Sequence, residues 1–284
     1  MNTIMDKEII QKSLDKAISG GKAGTMAMAC QVTSLMWLRT TVNYQYRYGV
    51  SMKDAFRTLY TQGGIGRFYK GILPALLQAP LSRFGDTAMN MGVMHYCNAN
   101  EDTKNLPIAV KTLFGSVAAG LWRINLMPID SCKTIMQVEG KQGIPILMNK
   151  IKENGIKVLY TGSLASCTAT IVGHFPWFLT FNALNESIPE VNYNDNLFKA
   201  LGRNAFIGFS SSLISDTVSN SSRVVKVYKQ ASPHVISYPQ IVKDIVKTDG
   251  VIGLFGRGLK TKIMSNGIQG IMFTILLKYF QEIN

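Results

Sequence analysis

Acidic residues are scarce in this sequence. Asp and Glu number 17 against 30 Lys and Arg, and charged residues of both signs make up only 17% of the chain. The formal charge of +13 accompanies a composition that is 46% apolar, which places the positive excess on loops flanking apolar segments. That pairing suits a membrane protein facing anionic lipid better than a nucleic-acid binder. No aromatic RNA-binding motif, zinc pattern or basic recognition helix appears, so no nucleic-acid partner is expected. Histidine is rarer still, at three residues, and the four cysteines (Cys30, Cys97, Cys132, Cys167) lack metal-ligand spacing. Each cysteine lies in or beside an apolar segment and reads as a buried thiol. There is no P-loop, nucleophile elbow or His-rich cluster, so neither enzymatic chemistry, a metal nor a cofactor is expected. Residues 1–16 carry Asp6, Glu8 and Asp15, unlike a signal peptide or an acid-poor, Arg-rich transit peptide. Organelle targeting is therefore expected to be internal.

What the chain has in quantity is long apolar runs. Ala23 to Leu38 contains no charge, and extension to about Asn43 brings it to the ~20 residues a membrane helix needs. Ser51 to Thr61 follows as a short amphipathic piece with Ala55, Phe56, Leu59 and Tyr60 on one face. Then come a glycine-rich turn, Gly63 to Gly71, and a second apolar helix from Ile72 to about Tyr96. The same order recurs. Thr112 to Gln137, Ile144 to Lys152 and Ser163 to Asn185 form the second pass, and Leu197 to Lys229, Tyr238 to Lys247 and Leu259 to Phe280 the third. Polar stretches at 98–105 and 190–195 mark the boundaries. Repetition at this period over the whole chain is a strong architectural signal, and it divides the sequence into residues 1–100, 101–195 and 196–284.

The most distinctive motif is Pro128-Ile129-Asp130-Ser131-Cys132-Lys133. Pro128 predicts a kink, and Asp130 and Lys133 lie one helical turn apart. Each repeat also carries a glycine pair, Gly64 and Gly71, Gly155 and Gly162, Gly250 and Gly258, with an aromatic or basic residue within the two positions before the second member. These features together resemble the mitochondrial carrier family over essentially the full chain. The resemblance implies an all-α membrane protein of the mitochondrial inner membrane, with six transmembrane helices in three tandem helix–short helix–helix repeats around a threefold pseudoaxis. It implies a central cavity, alternating access, and a salt-bridge gate made by the Pro-x-Asp-x-x-Lys signatures on the matrix side. It also implies cardiolipin at the loop-to-helix junctions formed by Gly64, Gly71, Gly155, Gly162, Gly250 and Gly258, where helix N-termini offer free N–H groups to phosphate. The competing reading of those glycines is backbone geometry alone.

Aligned on the bases Arg39, Lys133 and Arg223, the acid place reads Met36, Asp130 and Asn220. This predicts one ion pair, Asp130 with Arg223, and a hydrogen bond from Asn220 to Arg39. It also predicts that only the second odd-numbered helix bends, since Ser34 and Val218 replace the proline. The opposite gate, at Asn90, Met91, Met94, Phe181, Asn182, Asn185, Leu277, Lys278 and Gln281, keeps no acid–base pair.

Substrate contacts implied by the resemblance lie seven and eight residues after the repeat glycine, at Gln78 and Ala79, Ala169 and Thr170, Ser265 and Asn266. None is charged, so the expected solute is small and not strongly anionic. Arg83, Asp86, Arg123 and Asp216 are charges inside spans, where unpaired charge is costly; they point to a polar cavity or to internal pairing such as Arg123 with Asp86 or Asp216. His174 reads as a packed histidine rather than a proton-coupling group. Two functions follow. One is a divergent carrier. The other is a carrier-fold subunit without transport, docked on a larger inner-membrane assembly such as a respiratory complex.

Overall fold

Glycine and proline divide the chain into alternating long and short helices. The computed structural model describes residues 26–191 and 197–283, and no strand occurs among them. The first long helix, α1 (26–48), is followed by α2 (Met52–Phe68) and α3 (Ile72–Ala99). The second series is α4 (Ile108–Asn125), α5 (Met127–Glu139), α6 (Gly143–Asn154) and α7 (Ser163–Ser187). The third is α8 (Leu197–Ala231), α9 (Tyr238–Gly256) and α10 (Leu259–Ile283). The segment before residue 26, including the start of the Ala23 to Leu38 run, lies outside the described residues, as does most of the boundary at 190–195.

Helices α4 and α5 are two halves of one span, interrupted at Leu126. Pro128 stands in the first turn of α5, where it lacks an N–H to give and its ring excludes a regular preceding turn. Neither α1 nor α8 contains proline, and both run unbroken. At 35 residues, α8 is about 52 Å long at ~1.5 Å per residue. Side-chain caps start two of the short helices: Ser51 accepts from the Asp54 N–H at 3.2 Å, and Ser237 from the Gln240 N–H at 3.4 Å.

Among the described residues, one stretch, Ile156–Ser187, is long and apolar enough to cross a membrane by length and composition. The other long helices carry polar residues along their length. Helix α8, for example, buries Ser211, Ser215, Asp216, Ser219 and Asn220. The odd-numbered spans meet at their C-terminal ends in one apolar cluster, formed by Val42 and Tyr46 of α1, Val138 of α5, and Val224, Val227 and Ala231 of α8, closed by Ile241 and Ile245 of α9.

Two sets of hydrogen bonds repeat three times around this cluster. Within each repeat the odd helix is tied to the turn preceding the even one: Thr40 donates to the Phe68 carbonyl at 2.7 Å, Ser131 to Leu159 at 2.8 Å and Asn220 to Phe255 at 2.7 Å. Between repeats, a cation caps the end of the next odd helix. Arg67 donates to the Gln137 and Val138 carbonyls of α5 at 2.8 and 2.5 Å. Lys150 donates to those of Gln230 and Ser232 at the end of α8, at 3.2 and 2.9 Å. Arg257 donates to Tyr46 and Arg47 of α1 at 3.4 and 3.2 Å. Helix C-termini leave carbonyls unpaired and carry partial negative charge, which favours a cation there by roughly 0.3–2 kcal/mol before the cost of its desolvation. The caps run from repeat one to two, two to three and three to one, closing a ring.

All six motif glycines adopt positive φ, between 58° and 89°, the region that disfavours a side chain. They differ in surroundings. A Cβ on Gly64, Gly155 or Gly250 would meet nothing within 4 Å, whereas one on Gly71 would meet the Lys133 carbonyl at 2.9 Å and one on Gly258 the Tyr46 ring at 3.0 Å. Gly250→Ala is therefore expected to cost about 1–3 kcal/mol from conformation alone, and Gly258→Ala to add roughly 1–3 kcal/mol of overpacking to its own conformational cost. Thermal melts of the two variants in detergent measure the difference; equal melting temperatures would show that the contact with α1 is loose.

Lys150 generates a pH prediction. It is 1% exposed, and burial, with the cations Lys229 and Arg47 nearby, pushes it down to about 8 from its ordinary 10.5. Between those values the unfolded chain holds more protons than the folded one, so stability contributed by this site rises with pH across that window. Below about pH 8 the full cost of a buried charge is present. The neutral amine still donates to both carbonyls. The melting temperature of the native protein is expected to gain on that of Lys150→Met as pH is raised from 7 to 10, and a constant gap would exclude titration of Lys150.

Candidate functional site

Inside the bundle lies a cavity of about 1270 Å³. Its charged lining comprises seven basic residues, Arg39, Arg83, Arg123, Lys133, Arg223, Lys226 and Lys262, and two acids, Asp86 and Asp130. The remainder is mainly amide, hydroxyl and small residues, with an aromatic wall from Trp177 and Phe209. Trp177 stacks on Phe181 at 5.0 Å and donates to Ser212 at 3.4 Å.

The closed end is built on Asp130, which is 2% exposed. One carboxylate oxygen accepts from Lys133 at 2.7 Å and Gln78 at 2.6 Å; the other accepts from Lys226 at 2.8 Å and Gln230 at 2.9 Å. Gln78 in turn accepts from Lys133. The acid thus joins α3, α5 and α8. Its partner on the third odd helix is Lys226, in place of the Arg223 expected from sequence. Arg223 instead reaches Asp216 at 3.5 Å and Ser219 at 3.1 Å.

The cause is a register error of three residues, legible in the glycine contacts. Gly71 packs on Lys133 and Gln137, Gly162 on Lys226 and Gln230, and Gly258 on Val42 and Tyr46. Lys133, Lys226 and Val42 therefore occupy equivalent places, and three residues earlier stand Asp130, Arg223 and Arg39. The acid place is filled by arginine in two repeats. Three residues is nearly one helical turn, so the wrong alignment keeps the same face. Asn220 does not reach Arg39. It belongs to the within-repeat ties, and its amide oxygen accepts from the Tyr46 hydroxyl at 3.0 Å. Arg39 donates to Gln269 at 2.7 Å, and Met36 lies against Gln137.

Further up the cavity Arg123 pairs with Asp86 at 2.5 Å. Asp216 accepts from Asn266, which also accepts from Lys262 at 3.0 Å. Ser265 accepts from Gln269 at 2.6 Å. Gln78, Ala79, Arg83, Ser265 and Asn266 lie on the cavity wall. Ala169, Thr170, His174 and the buried Asp216 do not line it. Helix α7 turns its small face into its neighbours, with Gly173 against Ser215 and Ser219 of α8. Thr170 bonds the Ser166 carbonyl at 3.0 Å, His174 meets Phe178 edge-on at 6.2 Å, and Ser166 and Trp177 reach the cavity instead. Of the opposite gate, the side chains of Asn90, Met91, Leu277, Lys278 and Gln281 lie outside the described residues.

The positions seven and eight after each repeat glycine are uncharged, but the cavity is not. The lining as a whole carries seven bases against two acids. Sequence reasoning missed Lys226, Lys262, Asn43, Gln230 and Gln269. Lys262 had a signal: it lies four residues after Gly258, as Ala75 and Ser166 do after Gly71 and Gly162, and all three line the cavity.

A helical bundle with an apolar exterior, a charged central cavity and an ion-paired closed end has the architecture of a solute pathway. The sequence model of the family described as "Mitochondrial carrier protein" matches residues 11–98 and 104–192, and the chain belongs to that family. It is 25% identical over 279 residues to Mitochondrial substrate carrier family protein C of Dictyostelium discoideum, covering 93% of this chain and 58% of the relative. It is 24% identical over 170 residues to Mitochondrial thiamine pyrophosphate carrier 1 of Candida albicans, covering 56% of each. It is 25% identical over 180 residues to Peroxisomal adenine nucleotide transporter 1 of Saccharomyces cerevisiae, covering 52% and 55%. The chain thus spans about half the length of these curated relatives.

Asp130→Asn removes the charge that neutralises Lys133 and Lys226, and is expected to destabilise by about 3–5 kcal/mol, the range for breaking one side of a buried pair. A double-mutant cycle on melting free energies is expected to show coupling above about 0.5 kcal/mol for Asp130 with Lys226 and near zero for Asp130 with Arg223. The reverse order would restore the sequence-based register.

Proposed function

We propose that this chain is a carrier of the mitochondrial inner membrane that moves an organic anion by alternating access through the central cavity. The observation that carries the reading is the excess of seven basic over two acidic residues on the cavity wall. Charge at that depth is retained where it faces a partner or a solute, and a focused positive field raises the local concentration of an anion. Membership of the family supports transport, and two relatives bear the names of carriers for phosphorylated solutes, thiamine pyrophosphate and adenine nucleotide. A phosphorylated solute is accordingly the first to test. The alternative of a docked subunit without transport rested on missing gates; the Asp130 network and an open cavity favour transport. Cardiolipin at the junctions of Gly64 with Gly71, Gly155 with Gly162 and Gly250 with Gly258 completes the proposal. It is supported by the helix N-termini that follow Gly71, Gly162 and Gly258, which carry partial positive charge.

The test is exchange in cardiolipin-containing liposomes. Saturable uptake of thiamine pyrophosphate, nucleotides or other phosphorylated anions is expected, with loss of at least tenfold in rate for Arg123→Ala. Uptake confined to cationic or neutral solutes, or none for any anion in the panel, would overturn the reading.

A further inference from the structure

The gate described above has three acid places but only one acid. At the other two stand Arg39 and Arg223, and beside them, on α10, Lys262. Among the described residues, none of these three has a short carboxylate contact. Arg39 donates to the neutral Gln269 amide at 2.7 Å, Lys262 to the neutral Asn266 amide at 3.0 Å, and Arg223 lies 3.5 Å from Asp216. Charge-assisted pairs ordinarily close to about 2.7–2.9 Å. Asp216 is moreover shared with Asn266. Lys262 is within electrostatic reach of Asp216 first and then of Arg223, Arg39 and Lys133, so the cations and this acid form one cluster. Lys133 and Lys226 add their charges, already committed to Asp130. With Asp130 and Asp216 counted, five cations face two carboxylates, and all five cations open on the same cavity.

We propose that Arg39, Arg223 and Lys262 form a seat for a phosphoryl-type dianion at the closed end, and that the bound anion replaces the two missing gate carboxylates. A guanidinium offers paired N–H donors matched to phosphate oxygens, and two arginines with one ammonium supply the charge for a group carrying at least two negative charges. Empty, the seat holds like charges together and disfavours the closed end. Filled, it links α1, α8 and α10 as Asp130 links α3, α5 and α8. The consequence for gating rests on the carrier reading; the binding site itself does not.

Inorganic pyrophosphate is the probe, with the purified full chain in cardiolipin-free detergent. Pyrophosphate is expected to raise the melting temperature saturably, and Arg39→Gln and Lys262→Gln to weaken its apparent affinity at least tenfold. Without anion, both variants are expected to melt at or above the native temperature, because repulsion is relieved; a purely structural role predicts the opposite. Lys243→Gln, exposed on α9, is expected to keep the native response. A second measurement needs no variant: pyrophosphate is expected to slow acylation of Lys262 by an amine-reactive reagent at least fivefold, with Lys243 unaffected. No shift and no protection at millimolar pyrophosphate would overturn the proposal, as would an undiminished response in both variants. Protection of Lys262 by cardiolipin but not pyrophosphate would assign the site to a lipid headgroup and overturn it equally. Binding without exchange in liposomes would keep the seat and remove the carrier reading, so the two failures are distinguishable.

Discussion

The closed end of the cavity depends on how one carboxylate is shared. Asp130 accepts from four side chains on three elements, and two of those donors are lysines. A buried carboxylate costs several kcal/mol to desolvate unless its lone pairs are filled, and here each oxygen receives two donors. The amides matter as much as the lysines. Gln78 reaches from α3 and Gln230 from the end of α8, so the network couples an even helix to two odd ones. Without the acid, Lys133 and Lys226 would face each other across the same gap. The position of α5 against α8 is thus set by a balance of charges rather than by apolar contact alone.

Around this asymmetric centre the backbone is held symmetrically. The ties from Thr40, Ser131 and Asn220 and the caps from Arg67, Lys150 and Arg257 satisfy carbonyls that would otherwise lie unpaired at turns and helix ends. Their donors vary between hydroxyl and amide, lysine and arginine, because a carbonyl oxygen accepts from any of them. A gate ion pair has no such latitude, since opposite charges must meet. The threefold frame can therefore persist while the gate drifts to one acid, and the helical architecture does not report whether the gate is complete.

That distinction also governs what the sequence reveals. The long and short helices are legible because apolar runs and paired glycines are local signals, and the bend at Leu126 because Pro128 announces it. The gate register is not. Arg39 with Val42 and Arg223 with Lys226 place bases or neutral residues at both candidate positions three apart, and either choice lies on one face. Only the packing of Gly71, Gly162 and Gly258 against the next odd helix fixes the alignment. The caps are further out of reach, since Arg257 meets carbonyls 210 and 211 residues away. Lys262 escapes the sequence for a different reason: it lies one turn before Ser265 and Asn266, and a long side chain carries its ammonium well beyond its own helical turn.

The bend and the one complete acid site share a helix. Helices α1 and α8 are continuous, so neither has a joint of its own at this level, whereas α4 and α5 meet at a break one turn before Asp130. A rearrangement of the closed end that separates Asp130 from Lys226 has its least costly pivot there, where one intrahelical hydrogen bond is already missing. The other two odd helices would move as rods, carrying Arg39 and Arg223 with them. On the proposed alternating-access reading the work of opening divides unequally: one ion-paired contact is broken at a hinge, and two cationic contacts separate with repulsion assisting. The energetic difference between closed and open states then hinges on what neutralises the arginines, which makes the charge of the cavity's occupant, rather than the symmetry of the frame, the quantity that sets the equilibrium.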